Sequence, residues 1–286
     1  MKIVGKIVIC VVAYISGVML SGMITGALHL PSPGLPPGVT TQQAFVASLF
    51  GTSLLVVGLV PLAMGMGGSK IQRGAAIGTV VFIAIAVNTM IEAKVFTSFI
   101  SISLAAICAH YVLPCLFLSV ALAVLFSSAG KPMGLPTLTP IQWTWRILVA
   151  WMAFPVIYLI FGMCVAPFVT EAYITGVAGL KLPSMTLILK VQAVRSLLFL
   201  ASSLPIVLLW AGSRRDLLIK FGIAEAMMVG VHGLAFATWF PTILRWSHSI
   251  EITCDSFVYV AVLVWLFAAR AKKPVQVPAT ASIVAA

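Results

Sequence analysis

The sequence of 286 residues predicts an all-α fold: a polytopic membrane helix bundle of about eight transmembrane helices, arranged as a 4+4 parallel duplication. Three observations predict it. Hydrophobic residues make up 62% of the chain and charged residues only 8%, too little polar surface to coat a water-soluble fold. Apolar runs long enough to cross about 30 Å of hydrocarbon recur along the chain. The 17 Lys and Arg residues cluster at the ends of those runs. The net charge of +11 therefore reads as membrane topology and not as nucleic-acid affinity, because no basic stripe with interleaved aromatics accompanies it.

The first span, 7–28, follows Lys2 and Lys6. Its length exceeds the apolar core of about 7–15 residues in a signal peptide, so it reads as a retained helix. An uncharged, proline-rich loop, Pro31–Gly38, reads as a stiff cap. Spans 44–66, 75–96 and 99–127 complete a first repeat over 1–140, with breaks at Gly65–Gly68 and Ser127–Pro140. Spans 146–168, 186–211, 217–240 and 248–269 form a second repeat over 141–273, broken around Gly176, Gly179 and Pro183 and at Gly212–Arg215. A Pro/Ala-rich tail, 274–286, has the composition of disorder. Cys10, Cys108, Cys115, Cys164 and Cys254 lie in apolar stretches without CxxC spacing and read as core residues.

The duplication rests on loop architecture and short matches. Lys6-Ile-Val-Ile aligns with Arg146-Ile-Leu-Val, and Gly68-Ser69-Lys70 with Gly212-Ser213-Arg214. In each half a long loop follows the first span and a short basic loop the second. Four spans per repeat give both repeats the same orientation, related by an axis along the membrane normal.

Orientation follows from the basic residues. With the N-terminus inside, the inner ends hold Lys2, Lys6, Lys70, Arg73, Lys131, Arg146, Arg214, Arg215, Lys220, Arg270, Lys272 and Lys273. The outer ends hold Lys94, Lys181, Lys190, Arg195 and Arg245. Twelve against five predicts cytoplasmic N- and C-termini in a bacterial inner or plasma membrane. Trp143, Trp145, Trp210 and Trp265 mark the inner boundary, and Trp239 and Trp246 the outer.

Ionisable groups in a bilayer are costly, so their positions point to function. His248, Glu251 and Asp255 share one face of the eighth span within about 60°. Glu225 and His232, seven apart, share a face of the seventh, and Asn88 and Glu92 lie one turn apart in the third. Arg195 in the sixth cannot lose its proton and needs a carboxylate, with Glu92, Glu251 and Asp255 at similar depth. Together Glu92, Arg195, His232, His248, Glu251 and Asp255 predict an outward-facing substrate-binding pocket among spans 3, 6, 7 and 8.

The leading expectation is a permease or carrier. One alternative is an intramembrane metal-dependent hydrolase with His232, His248 and Glu251 as metal ligands, three protein ligands leaving an open position. The other is a non-catalytic subunit of a membrane complex. No P-loop, HExxH, GxSxG or dinucleotide fingerprint occurs, and the sequence names no cofactor. The expected partners are the lipid bilayer, a small solute or ion, and further copies of the chain or a separate membrane subunit; nucleic acid is not among them.

Overall fold

Hydrocarbon offers no water to a backbone N–H or C=O, so each apolar run satisfies its own backbone by coiling into a helix. A computed structural model of the chain describes residues 2–31, 35, 38–98, 103–132, 134 and 136–268. The expected tail 274–286, Arg270, Lys272, Lys273, residues 99–102 of the expected fourth span and part of the Pro31–Gly38 loop lie outside the described residues. Eight helices are long and apolar enough to cross a membrane. They are α1 (Ile3–Ala27), α2 (Thr41–Gly65), α3 (Lys70–Phe96), α4 (Leu104–Leu125), α5 (Pro140–Ile174), α6 (Met185–Leu209), α7 (Arg214–Ala235) and α8 (Thr242–Phe267).

Polar caps set the starts of most helices. Thr40 with Gln43, Ser69 with Gln72, and Thr139 with Gln142 form capping boxes before α2, α3 and α5. Ser103, Ser184 and Ser213 cap α4, α6 and α7. These caps extend two helices past their apolar cores. α3 begins at Lys70, not 75, and α5 runs for 35 residues instead of the expected 146–168. At 1.5 Å per residue α5 is about 52 Å long and overshoots the hydrocarbon.

Successive helices alternate in direction, which gives the bundle two faces. The terminal face carries both described ends of the chain. There, helix C-termini leave carbonyls that arginines answer. Arg73 donates to the Phe126 and Ala123 carbonyls at 2.8 and 2.9 Å, Arg214 to Val264 and Trp265 at 2.6 and 3.0 Å, and Arg146 to Leu266. The α2 and α6 ends meet in an antiparallel bridge between Met66 and Trp210. The Gly67 N–H donates to the Leu209 carbonyl at 2.7 Å, and the Ala211 N–H to Gly65 at 3.0 Å. Trp210, at the C-cap of α6, is fully buried on Gly65, its indole N–H bonded to the Ser213 carbonyl. On the distal face a second bridge joins Thr97 to Leu180.

α2, α3, α6 and α7 pack as a central group, flanked by the closely packed pairs α1–α4 and α5–α8. Both α3 and α7 contain π-helical segments, Phe82–Asn88 and Met227–Ala235. The first closes at Thr89, whose backbone N–H and side-chain hydroxyl both reach the Ala84 carbonyl. Opposite the second, Gly51 of α2 lies so near the α7 backbone that a Cβ on it would stand 2.4 Å from the His232 carbonyl oxygen. Gly22 and Gly26 of α1 face open space, with nothing within 4 Å of where a Cβ would stand.

Overpacking against backbone costs about 1–3 kcal/mol or more. Gly51→Val therefore lowers the thermal unfolding midpoint of the detergent-solubilised protein by several degrees, whereas Gly26→Ala leaves it unchanged. Equal midpoints for the two variants contradict this packing.

Candidate functional site

Buried polar groups concentrate where α5, α6, α7 and α8 meet the distal half of α3. On α8 the three-and-four spacing of His248, Glu251 and Asp255 aligns them along one stripe. His248 Nδ1 lies 2.5 Å from Glu251 Oε2, and its Nε2 lies 3.0 Å from the Tyr173 hydroxyl of α5. Glu251 is buried against α5 at Gly162, where a Cβ would come within 3.3 Å of its Oε1. A side chain at 162 crowds that carboxylate.

Arg195 of α6 is only 2% exposed. Its Nη2 pairs with Glu92 Oε2 of α3 at 2.8 Å, and its Nη1 donates to Gln192 Oε1 at 3.0 Å. Phe154 and Phe199 lie beside the guanidinium, with centroids 5.8 and 5.9 Å away, an arrangement that favours a delocalised cation. The carboxylate that Arg195 requires is thus Glu92, which remains a quarter exposed.

Beneath this pair is a cavity of about 40 Å³, lined by Glu92, Tyr158, Arg195, Glu225, Asp255 and Tyr259 among others. It holds about three water-sized volumes. Glu225 of α7 is buried and accepts a 3.2 Å hydrogen bond from Ser203 of α6. Asp255 Oδ1 and Arg195 Nε are buried without a hydrogen-bond partner among the described residues, and the Tyr259 hydroxyl lies beside Ser196. Buried polar atoms are normally satisfied, so a polar occupant of this cavity would complete them. A larger groove of about 640 Å³ between α3 and α4 is apolar, with Lys70 its one ionisable side chain other than Cys115 among the described residues.

The structure brings Glu92, Arg195 and Asp255 to the cavity and stacks Glu251 and His248 one and two turns above it. It does not bring His232 there. The π-helical segment puts more residues in each turn, so His232 leaves the Glu225 face that a straight α-helix would give it. Its ring instead meets Tyr14 of α1 edge-on, with centroids 5.6 Å apart. The expected metal set of His232, His248 and Glu251 is therefore not assembled. Among the described residues no three His, Cys, Asp or Glu side chains are placed to hold a metal ion. Lys220 lies over the Trp210 ring, and Arg245 donates to the Phe240 and Ala235 carbonyls.

Sequence reasoning left Phe154, Tyr158, Tyr173, Ser203 and Tyr259 out of the site. Tyr259 had a signal, because it continues the α8 stripe one turn beyond Asp255. The α5 aromatics had none, since they sit in an apolar run that reads as lipid-facing. Compared with known proteins, the chain matches no family model, no curated protein and no solved structure. The chemistry of the site is therefore argued from its own residues. Four acids and one permanent cation share this region among the described residues, an arrangement suited to binding positive charge and exchanging protons.

Removing one partner of a buried ion pair costs up to about 3–5 kcal/mol, less where one side is partly solvated. Arg195→Met and Glu92→Gln each destabilise the protein, Arg195→Met by about 2–3 kcal/mol and Glu92→Gln by less. The double variant loses less than the sum of the two, as measured by denaturant unfolding in detergent; strict additivity breaks the pair. Tyr173→Phe removes a single hydrogen bond and costs about 1 kcal/mol in the same assay.

Proposed function

We propose that the chain is a carrier or permease of a bacterial inner or plasma membrane, binding its cargo in the cavity beneath the Arg195–Glu92 pair. The observation that carries this reading is a cavity near the middle of the spans whose wall holds two buried polar atoms without a described partner, Asp255 Oδ1 and Arg195 Nε. A structural role alone gives no reason to retain such groups in a bilayer, where each costs free energy. Asp255 and Glu225 supply negative charge for the cargo, and Glu251 and His248 line the approach from the distal face. The basic-residue bias along the chain supports a cytoplasmic terminal face, so that the site opens outward.

The same reading includes descent from a duplicated four-helix unit. Features 144 residues apart support it: the caps Thr40 and Ser184, the caps Ser69 and Ser213, and the helix prolines Pro61 and Pro205. The bridge hydrogen bonds also fit, since Gly67 to Leu209 maps onto Ala211 to Gly65 under that shift. The α1–α4 pair matches α5–α8, and the α2–α7 contact matches α6–α3. Such parallel repeats place a binding site near the pseudo-symmetry axis in some transporters.

A second reading, a non-catalytic subunit with ionic residues as struts, is favoured by the Arg195–Glu92 pair. Asp255 separates the two, because it pairs with no described side chain and has no strut to lose. Loss of a charge that contacts the cargo costs about 2 kcal/mol, or about thirtyfold in binding. Intracellular small-molecule and ion pools are compared in cells with the native chain, with none, and with Asp255→Asn at equal membrane expression. Under the carrier reading the Asp255→Asn cells share the altered pools of cells lacking the chain. Pools that match the native strain overturn it and leave the strut role.

A further inference from the structure

We propose that the cavity is a proton-binding site, loaded from the distal face through a relay of Tyr173, His248 and Glu251 to Asp255 and Glu225. The inference deepens the carrier reading by naming the positive species that the site binds, and rests on it only for what the bound proton drives.

The cavity's size and walls select the occupant. About 40 Å³ is too small for an organic cation and suits a proton carried on one or a few waters. The Ser256 hydroxyl is spent on the Ile252 carbonyl of its own helix, and the apolar part of the wall is Phe154, Phe199, Val229 and Ile252. The oxygens that remain belong to Glu92, Tyr158, Glu225, Asp255 and Tyr259, groups that each bind or release a proton. A proton needs only one lone pair, and Asp255 Oδ1 has one to spare. The Tyr259 hydroxyl, 4% exposed and beside Ser196, can donate or accept.

The relay supplies the route. The His248 side chain is 20% exposed, the more open end of its pair with the nearly buried Glu251. It takes a proton at Nε2 and releases one from Nδ1 to Glu251 Oε2, so the ring returns to neutral as its other tautomer. The Tyr173 hydroxyl at Nε2 can donate or accept, so it stays bonded to either tautomer. Glu251 stands one turn above Asp255 on the same stripe, about 6 Å away. Asp255 and Glu225 line the same cavity, so water within it continues the path. Every ionisable group that faces this line belongs to it or bounds it: Glu92 from α3, Tyr158 and Tyr173 from α5, Arg195 from α6, Glu225 from α7, and His248, Glu251, Asp255 and Tyr259 from α8. Arg195 makes its ion pair with Glu92, and Asp255 and Glu225 form no ion pair among the described residues.

The sequence makes the test clean, because its only aspartates are Asp216 and Asp255. Asp216 is exposed at the start of α7. The full chain, carrying ¹³C-labelled aspartate, is reconstituted in lipid nanodiscs, and its carboxylic-acid C=O infrared band is followed from about pH 5 to about pH 9. The native chain is expected to show a titrating, isotope-shifted band that survives Asp216→Asn and disappears in Asp255→Asn. Glu225→Gln changes the unlabelled component, and His248→Ala keeps the Asp255 band while slowing its hydrogen–deuterium exchange about tenfold or more. If Asp255→Asn does not fold, the isotope shift in the native chain and in Asp216→Asn still decides the matter.

The absence of any isotope-shifted titrating band in Asp216→Asn overturns the proposal. So does a band displaced by sodium or potassium at constant pH, which makes the occupant an alkali ion. Unslowed exchange in His248→Ala removes the relay. A normal Asp255 band together with native-like solute pools in Asp255→Asn cells keeps the proton site and removes the carrier reading, so the two fail separately.

Discussion

Arg195 carries a charge it cannot shed into a medium that cannot solvate it, and much of the surrounding architecture answers that charge. α3 brings Glu92 to 2.8 Å, Gln192 on the same helix turns its amide oxygen to the guanidinium, and α5 lends Phe154 beside it. Three helices are thereby fixed relative to one another at a point where apolar packing alone is permissive, because lipid tails compete with Leu and Val on equal terms. The cavity lies directly below. Its remaining acids, Asp255 and Glu225, face a cation whose ion pair is with Glu92.

The flanking pairs are built alike and used differently. α1 and α4 meet through small and apolar residues, whereas α5 and α8 carry Tyr158, Tyr173, His248, Glu251 and Asp255. In the proposed 144-residue register Arg195 corresponds to Gly51. One half places a guanidinium there, and the other packs backbone against the π-helical turn of α7. Under the proposed duplication, one half holds the polar site and the other its apolar counterpart; the α2–α6 bridge and the buried Trp210 lie together on the terminal face.

The two π-helical segments lie in the two central helices that carry Glu92 and Glu225. Each exchanges regular i→i−4 bonding for a local shift in phase, a cost usually met at functional sites. In α3 the shift ends just before Glu92, and in α7 it begins just after Glu225. The side chains beyond and before the shift therefore take bearings that a straight helix cannot give them.

That shift marks the boundary between what the sequence determined and what tertiary structure decided. Composition and apolar run length determined eight helices, because burial of backbone polar groups in hydrocarbon leaves no other local solution. The α8 stripe from His248 to Asp255 was legible for the same reason: within one regular helix, spacing is bearing. The requirement that Arg195 find a carboxylate was legible too, since a charge without water needs one. Which carboxylate it found was not, because Glu92, Glu251 and Asp255 differ only in how separate helices rotate. The inclusion of Tyr158 and Tyr173, and the departure of His232 toward Tyr14, depended on packing between spans far apart in sequence and on a π-helical turn with no side-chain signature. Helix formation is a local property of the chain, whereas a site is a relation between helices, and in a bilayer that relation is set by their mutual packing.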